Sequence, residues 1–146
     1  MIKDKSSQLT EDEDFIFTDC DVSVEDILKD NPVKSIKPGD NITITRPGGT
    51  VKLKGRVVRA IDTSFRSFEI GGRYILFLRF IPSTETYKAF SNGSFQLRDN
   101  HITKLTNEAL WDEKERENDA TAFLTEVRDA IAGVRIEAPK GFVRLQ

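Results

Sequence analysis

Gly71-Gly72-Arg73-Tyr74-Ile75-Leu76-Phe77-Leu78-Arg79-Phe80-Ile81-Pro82 is the most apolar stretch of the chain. An almost continuous apolar run bounded by glycine and proline reads as a strand covered on both faces, so residues 73–81 are expected at the centre of a sheet. Downstream, Tyr87, Ala89 and Phe90 form a weaker strand up to the turn signal Ser91-Asn92-Gly93. Ser94-Phe95-Gln96-Leu97-Arg98 and Ile102-Thr103-Lys104-Leu105 flank Asp99-Asn100-His101, the pattern of a β-hairpin with a tight turn.

Upstream, Asn41-Ile42-Thr43-Ile44-Thr45 is a short β-branched strand between two turns, Lys37-Pro38-Gly39-Asp40 and Arg46-Pro47-Gly48-Gly49. In the first turn proline presets φ and glycine supplies a positive φ. The second has no following Gly-Lys-Ser/Thr, so it reads as a hairpin turn and not as a phosphate loop. Val51, Leu53 and Gly55 alternate with Thr50, Lys52 and Lys54, a half-buried strand with a basic outer face. Residues 56–61 continue it, with Gly55 free to carry a kink. Phe65, Phe68 and Ile70 mark a less regular piece.

Nearer the start, Phe15 and Phe17 share a face at period two, as do Cys20, Val22 and Val24. The phase slips between the two sets, which predicts a bulge near Thr18-Asp19. Glu11-Asp12-Glu13-Asp14 resists packing, so residues 1–14 are expected as an acidic arm.

After Thr106 the pattern changes. Asn107 to Trp111 suggests a short helical turn, with Leu110 and Trp111 covering a barrel end, and residues 112–119 a charged loop. Ala120, Phe123, Leu124, Val127, Ala130 and Ile131 then fall at helical spacing, with Asn118 or Asp119 as cap and Gly133 at the C-terminal left-handed position. Residues 134–146 hold Val134, Ile136, Phe142, Val143 and Leu145, a C-terminal extension or an extra strand. The expected domain is therefore 15–133. Its class is mainly β with a C-terminal helix (α+β): a small antiparallel barrel of OB type covered by one amphipathic helix.

Composition bounds the function. The chain has 146 residues, 38% hydrophobic and 32% charged, enough for one real core. No apolar run reaches the ~18–20 residues of a membrane helix, and residues 1–8 lack the apolar core of a signal peptide. The single Cys20 excludes an internal disulfide, and the single His101 excludes any site needing two imidazoles. Cys20 at an apolar strand position reads as a buried inert thiol, and His101 as an exposed turn residue. Glu11-Asp12-Glu13-Asp14 lacks the alternating oxygen ligands of a calcium loop and reads as solvated. Asp19 and Asp21 lie opposite Cys20, with nothing to suggest a glycosidase-type pair. No catalytic, cofactor-binding or metal-binding residue is assigned.

The net charge of −2 hides an asymmetry. Residues 1–30 carry −7, whereas residues 46–79 carry +6 from Arg46, Lys52, Lys54, Arg56, Arg59, Arg66, Arg73 and Arg79 against Asp62 and Glu69. Neutralisation between neighbouring strands is the simpler reading. The sharper one makes Arg46, Lys52, Lys54, Arg56 and Arg59 a ligand-binding basic face.

Val24-Glu25-Asp26-Ile27-Leu28-Lys29, Pro38-Gly39-Asp40 with Ile42-Thr43-Ile44, Arg46-Pro47-Gly48-Gly49, and Gly72 to Leu78 with Tyr87 form an ordered set. Over roughly residues 15–105 it resembles uncharacterised bacterial proteins whose pattern is similar to the netrin-like, or TIMP-like, OB-fold barrels. The resemblance implies a fold through turns and core strands. The inhibitory N-terminal cysteine of the animal proteins has no counterpart, since Met1 stands first and Cys20 is alone. A strand that usually precedes the segment matching residues 15–28 is expected to be missing. The chain then reads as part of an exported protein, or residues 134–145 fill the gap.

The function expected is a non-enzymatic binding module with a protein partner, or self-association through an unpaired edge. The alternative is an OB-type binder of single-stranded nucleic acid using residues 46–79, with Phe65, Phe68, Phe77, Phe80, Tyr87, Phe90 and Phe95 among the bases. Overall acidity weighs against it. No cofactor is expected, and the compartment stays open.

Overall fold

The computed structural model describes residues 1–30, 33–63, 66–105 and 120–133. The strands are β1 (Ile2–Leu9), β2 (Ile16–Ser23), β3 (Asn41–Pro47), β4 (Gly49–Leu53), β5 (Arg56–Ala60), β6 (Arg73–Ile81), β7 (Thr86–Arg98) and β8 (His101–Lys104); one helix, α1 (Ala120–Ile131), follows. Among the described residues the chain is thus mainly β with a single helix toward the C-terminus, as its periodicities predict. The expected turn at 107–111, the cover by Leu110 and Trp111, the loop 112–119, the cap at Asn118 or Asp119 and the extension 134–146 lie outside the described residues, as does Phe65.

Six strands form one mixed sheet in the order β1-β2-β3-β7-β6, with β8 also on β7; β4 and β5 pair separately. All ladders are antiparallel except β3–β7, which is parallel at Ile44↔Tyr87 and Thr45↔Lys88. The purely antiparallel sheet expected from short turns is corrected here. A parallel neighbour needs a long connection, and β4, β5 and β6 all intervene between β3 and β7. The ladders leave β1 and β6 as the two ends of the sheet. Among the described residues Ile2 ties β1 to the entry of β6: its N–H donates to Gly72 O at 3.0 Å, and its carbonyl accepts from Gly71 N at 2.8 Å.

Residues 2–9, expected in an acidic arm, form an edge strand. A register shift between Ile2 and Asp4 turns Ile2 to the same side as Lys5 and Ser7, and Ile2 is fully buried. This strand precedes the segment beginning at Phe15, where the resemblance predicts a gap. The acidic run becomes the β1–β2 turn, closed by Thr10 N–H to Phe15 O at 2.9 Å. In β2 the phase does not slip. Ile16, Thr18, Cys20 and Val22 point one way in unbroken register, and Phe15 is left exposed. The bulge expected at Thr18-Asp19 is absent from β2, because Ile16, not the neighbouring phenylalanines, supplies the buried face.

The alternation of β6 divides the core. Tyr74, Leu76, Leu78 and Phe80 pack with buried Ile2, Cys20, Val22, Ile44, Phe68, Tyr87 and Leu105. On the other face Ile75 joins Phe95, Ile102, Ala120 and Phe123, with Phe95 and Phe123 rings 4.7 Å apart. Burying side chains of this size is worth ~1.5–3 kcal/mol each. Strand β6 therefore packs on both faces at Tyr74–Leu76, leaves Phe77 and Arg79 exposed, and among the described residues stands at an end of the sheet, not at its centre. The weak strand and the strand after Ser91-Asn92-Gly93 are one 13-residue strand, β7. Its pairing jumps from Ser94↔Leu76 to Ala89↔Leu78, so residues 90–93 bulge out, closed by Ser94 Oγ donating to Phe90 O at 2.7 Å. A bulge bends its strand, and this one lets β7 pair with β3 along its first half and β8 along its second.

Candidate functional site: a basic β-ribbon

Over residues 49–60 the alternation predicts one kinked strand. The structure has a two-stranded ribbon there, in the register Leu53↔Arg56, Lys52↔Val57, Val51↔Val58 and Thr50↔Arg59. Lys54 and Gly55 make the two-residue turn, both at positive φ (48° and 76°). That geometry matches the right-handed twist of the strands and forces the chain back on itself. A lysine before the glycine is a weak signal compared with asparagine or aspartate, so the reversal is not legible in the sequence. The same reversal means that Arg46-Pro47-Gly48-Gly49 is not a hairpin turn. β3 and β4 do not pair, and the chain leaves the main sheet there.

The ribbon is held at its base. Gly48 N donates to Ile16 O at 2.9 Å, and Thr18 Oγ1 donates to Gly48 O at 2.7 Å. Gly49 has φ +143°, and a Cβ there would run into Ser7 Oγ and Thr18 Oγ1. Only glycine lets β4 approach β1 and β2 this closely.

Four of the five residues of the expected basic face sit on this ribbon. Lys52 and Arg59 share a face with Thr50 and Val57; Arg56 stands on the opposite face beside Leu53; Lys54 occupies the tip. All four are exposed, and none forms an ion pair among the described residues. Beside them Val57 is 72% and Ile61 67% exposed. The expected single face is thus a charged tip surrounded by apolar side chains.

Arg46 is the exception. It follows Ile44 on the inward phase of β3 and is only 6% exposed. Its Nη1 donates to Arg66 O at 2.9 Å, Asp62 lies 3.9 Å from Nη2, and the guanidinium stands over the Phe68 ring. Burial pushes its pKa down to about 10, with Asp62 opposing, so it stays cationic at neutral pH. It belongs to the core and not to the ligand face.

The acids assigned to simple structural roles take them. Asp19 accepts from Thr45 Oγ1 at 2.6 Å across the β2–β3 ladder, and Asp21 from Thr43 at 3.4 Å. Cys20 is 2% exposed, and burial pushes its thiol up to about 11. His101 is exposed as expected, but it opens β8 opposite Arg98 and is not part of the turn. No group of three or more potential metal ligands occurs among the described residues, and no described helix is long and apolar enough to cross a membrane. Compared with known proteins, the chain matches no family, no curated protein and no solved structure.

Proposed function

We propose that this chain is a non-enzymatic binding module that docks an acidic protein surface through the β4–β5 ribbon. The observation that carries the reading is the set Lys52, Lys54, Arg56 and Arg59, four exposed cations without ion-pair partners among the described residues, beside exposed Val57 and Ile61. Cations interspersed with exposed apolar side chains suit a surface that is both acidic and partly apolar; the charges steer the encounter and the apolar groups hold it. The thiol of Cys20, protonated and enclosed, supports the non-enzymatic reading.

The fold beneath the ribbon reads as an OB-type barrel, partly open. Five strands in the order β1-β2-β3-β7-β6, with Ile2 tied back to Gly71 and Gly72 at the entry to β6, support that reading. Barrels of this type have five strands in a Greek-key arrangement and close only in part. β4–β5 then counts as an insertion between the third and fourth barrel strands.

Single-stranded nucleic acid is the other partner considered. It needs aromatic rings beside the cations, on which bases stack. Here Phe68, Phe80, Tyr87 and Phe95 pack in the two cores, Phe77 and Phe90 are exposed but sit on β6 and β7, and the ribbon itself offers valines. Fluorescence anisotropy with labelled polyglutamate and with labelled oligothymidylate separates the two. Polyglutamate binding that weakens with salt, and by about tenfold or more in the Lys52→Glu/Arg59→Glu variant, is the expected outcome. Tighter binding of oligothymidylate replaces this reading, and no binding of either probe at low salt ends it.

A further inference from the structure

Asn92 and Gly93 form the only Asn-Gly pair of the sequence. They lie in the bulge of β7, where the β6–β7 register passes from Ser94↔Leu76 to Ala89↔Leu78 and gives residues 90–93 no partner. Asn92 is exposed, and its side chain makes no hydrogen bond among the described residues. Nothing there fixes the carboxamide. Gly93 is required for a separate reason. A Cβ on it would stand 2.7 Å from Phe77 Cβ and 3.0 Å from two carbons of that ring. The close approach of Phe77 thus demands glycine at 93. The same demand leaves the main-chain nitrogen of Gly93 without a side chain to shield it from Asn92 Cγ.

The other asparagines among the described residues are held differently. Asn41 pairs with Ser23 in the β2–β3 ladder, and the branched Ile42 follows it, itself paired with Val22. Asn100 accepts from Ala120 N at 3.0 Å through its main-chain carbonyl, and His101, which follows it, is paired with Arg98. In both cases the nitrogen that would have to move belongs to a residue with a side chain and a place in a ladder.

We propose that Asn92 is a self-modifying site, at which the folded chain loses ammonia and gains a carboxylate. The Gly93 nitrogen gives its proton to base and attacks Asn92 Cγ. The new N–Cγ bond closes a five-membered succinimide, the Cγ–Nδ2 bond breaks, and the nitrogen leaves as ammonia with a proton from solvent. Water then adds to either ring carbonyl and breaks its bond to the ring nitrogen, giving aspartate or isoaspartate. The nucleophile and the carbonyl are held in one short segment, so the step needs no catalyst. Either product puts a negative charge on the bulge, and isoaspartate adds a main-chain carbon to the turn that hands β7 from β3 to β8. The site is separate from the β4–β5 ribbon.

The test incubates the full chain in mildly alkaline buffer made with oxygen-18 water, then maps tryptic peptides by mass spectrometry. Asn92 is the only asparagine of the peptide Ala89–Arg98. That peptide should lose ammonia, take up a single labelled oxygen and separate into aspartate and isoaspartate forms, before the peptides holding Asn41 and Asn100 change. The folded chain should react within about threefold of the rate in urea, because opening a segment outside the ladder costs little. Asn92→Gln, on an exposed side chain, should keep the fold and stop the change, since its ring would need a sixth member. An Asn92 that stays intact in the folded chain, an aspartate product with no isoaspartate, or faster change at Asn41 or Asn100 would each overturn the assignment.

Discussion

The guanidinium carbon of Arg46 lies 4.7 Å from the centroid of the Phe68 ring, inside the sheet. The ring also meets Tyr74 at 4.8 Å, and the carbonyl of Phe68 accepts from Lys5 Nζ at 2.7 Å. An irregular segment, residues 66–70, is thereby drawn into the core by cations from β1 and β3. Replacing Arg46 with alanine removes the stack and leaves the Arg66 carbonyl and Asp62 without their cation. Breaking a buried pair this way costs ~3 kcal/mol, and Asp62, partly exposed, recovers some of it through water. Arg46→Met keeps the volume on Phe68 and should cost less than Arg46→Ala. Urea unfolding of the two variants checks the order.

Gly49 offers a sharper test of geometry. Gly49→Ala combines a positive φ with a collision against two hydroxyls that are themselves hydrogen-bonded, Ser7 and Thr18 at 2.9 Å. It should cost ~2–3 kcal/mol. Gly39→Ala, at φ +94° but facing open space, should cost only ~1 kcal/mol. Equal thermal shifts for the two would show that the approach of β4 to β1 and β2 is not close.

The ribbon turn predicts a gain. Lys54 holds φ 48° with a side chain that tolerates it poorly, whereas asparagine is at home there. Lys54→Asn should stabilise the ribbon by ~0.5–1 kcal/mol, seen as slower hydrogen exchange over residues 49–60. Polyglutamate affinity should fall at the same time, because a cation is lost from the tip.

Cys20 predicts a pH dependence. Its thiol is raised from the ordinary 9.0 to about 11, mainly by burial. The folded state therefore holds a proton that the unfolded chain gives up, and stability is full below pH 9 and declines as pH rises toward 11. The difference between the native chain and Cys20→Ala should shrink by ~1 kcal/mol between pH 8 and 10. Iodoacetamide should leave the folded thiol untouched at pH 8 and label it once urea unfolds the chain.

Phe123 tests what holds the helix. Its ring meets Phe95 at a tilt and the residue is 8% exposed, while the Arg128–Asp26 pair at 2.9 Å is solvent-facing and worth at most ~1 kcal/mol. Phe123→Ala should cost ~3 kcal/mol and release α1 in hydrogen exchange before β6 and β7 open. Arg128→Ala should barely register.

The amino-acid sequence by itself determined the local elements. The β-branched run at Ile42 to Thr45, a hairpin reversal near Asp99 and Asn100, the turn at Gly39 and the apolar stripe of α1 follow from steric preference and period alone. The four exposed cations of the ribbon were also legible as a set, because charge is read without knowing the fold. What the sequence left open is everything fixed between distant segments. Ile16 rather than Phe15 faces inward because it shares the face of Cys20 and Val22, which the core covers. Arg46 is a core residue because Phe68 arrives from beyond the ribbon to meet it. β6 reads as a centre because the core takes Tyr74, Leu76, Leu78 and Phe80 on one face and Ile75 on the other, yet no described strand pairs with its flank. Side-chain pattern reports which faces are dry; only the tertiary arrangement decides which main-chain edges are paired.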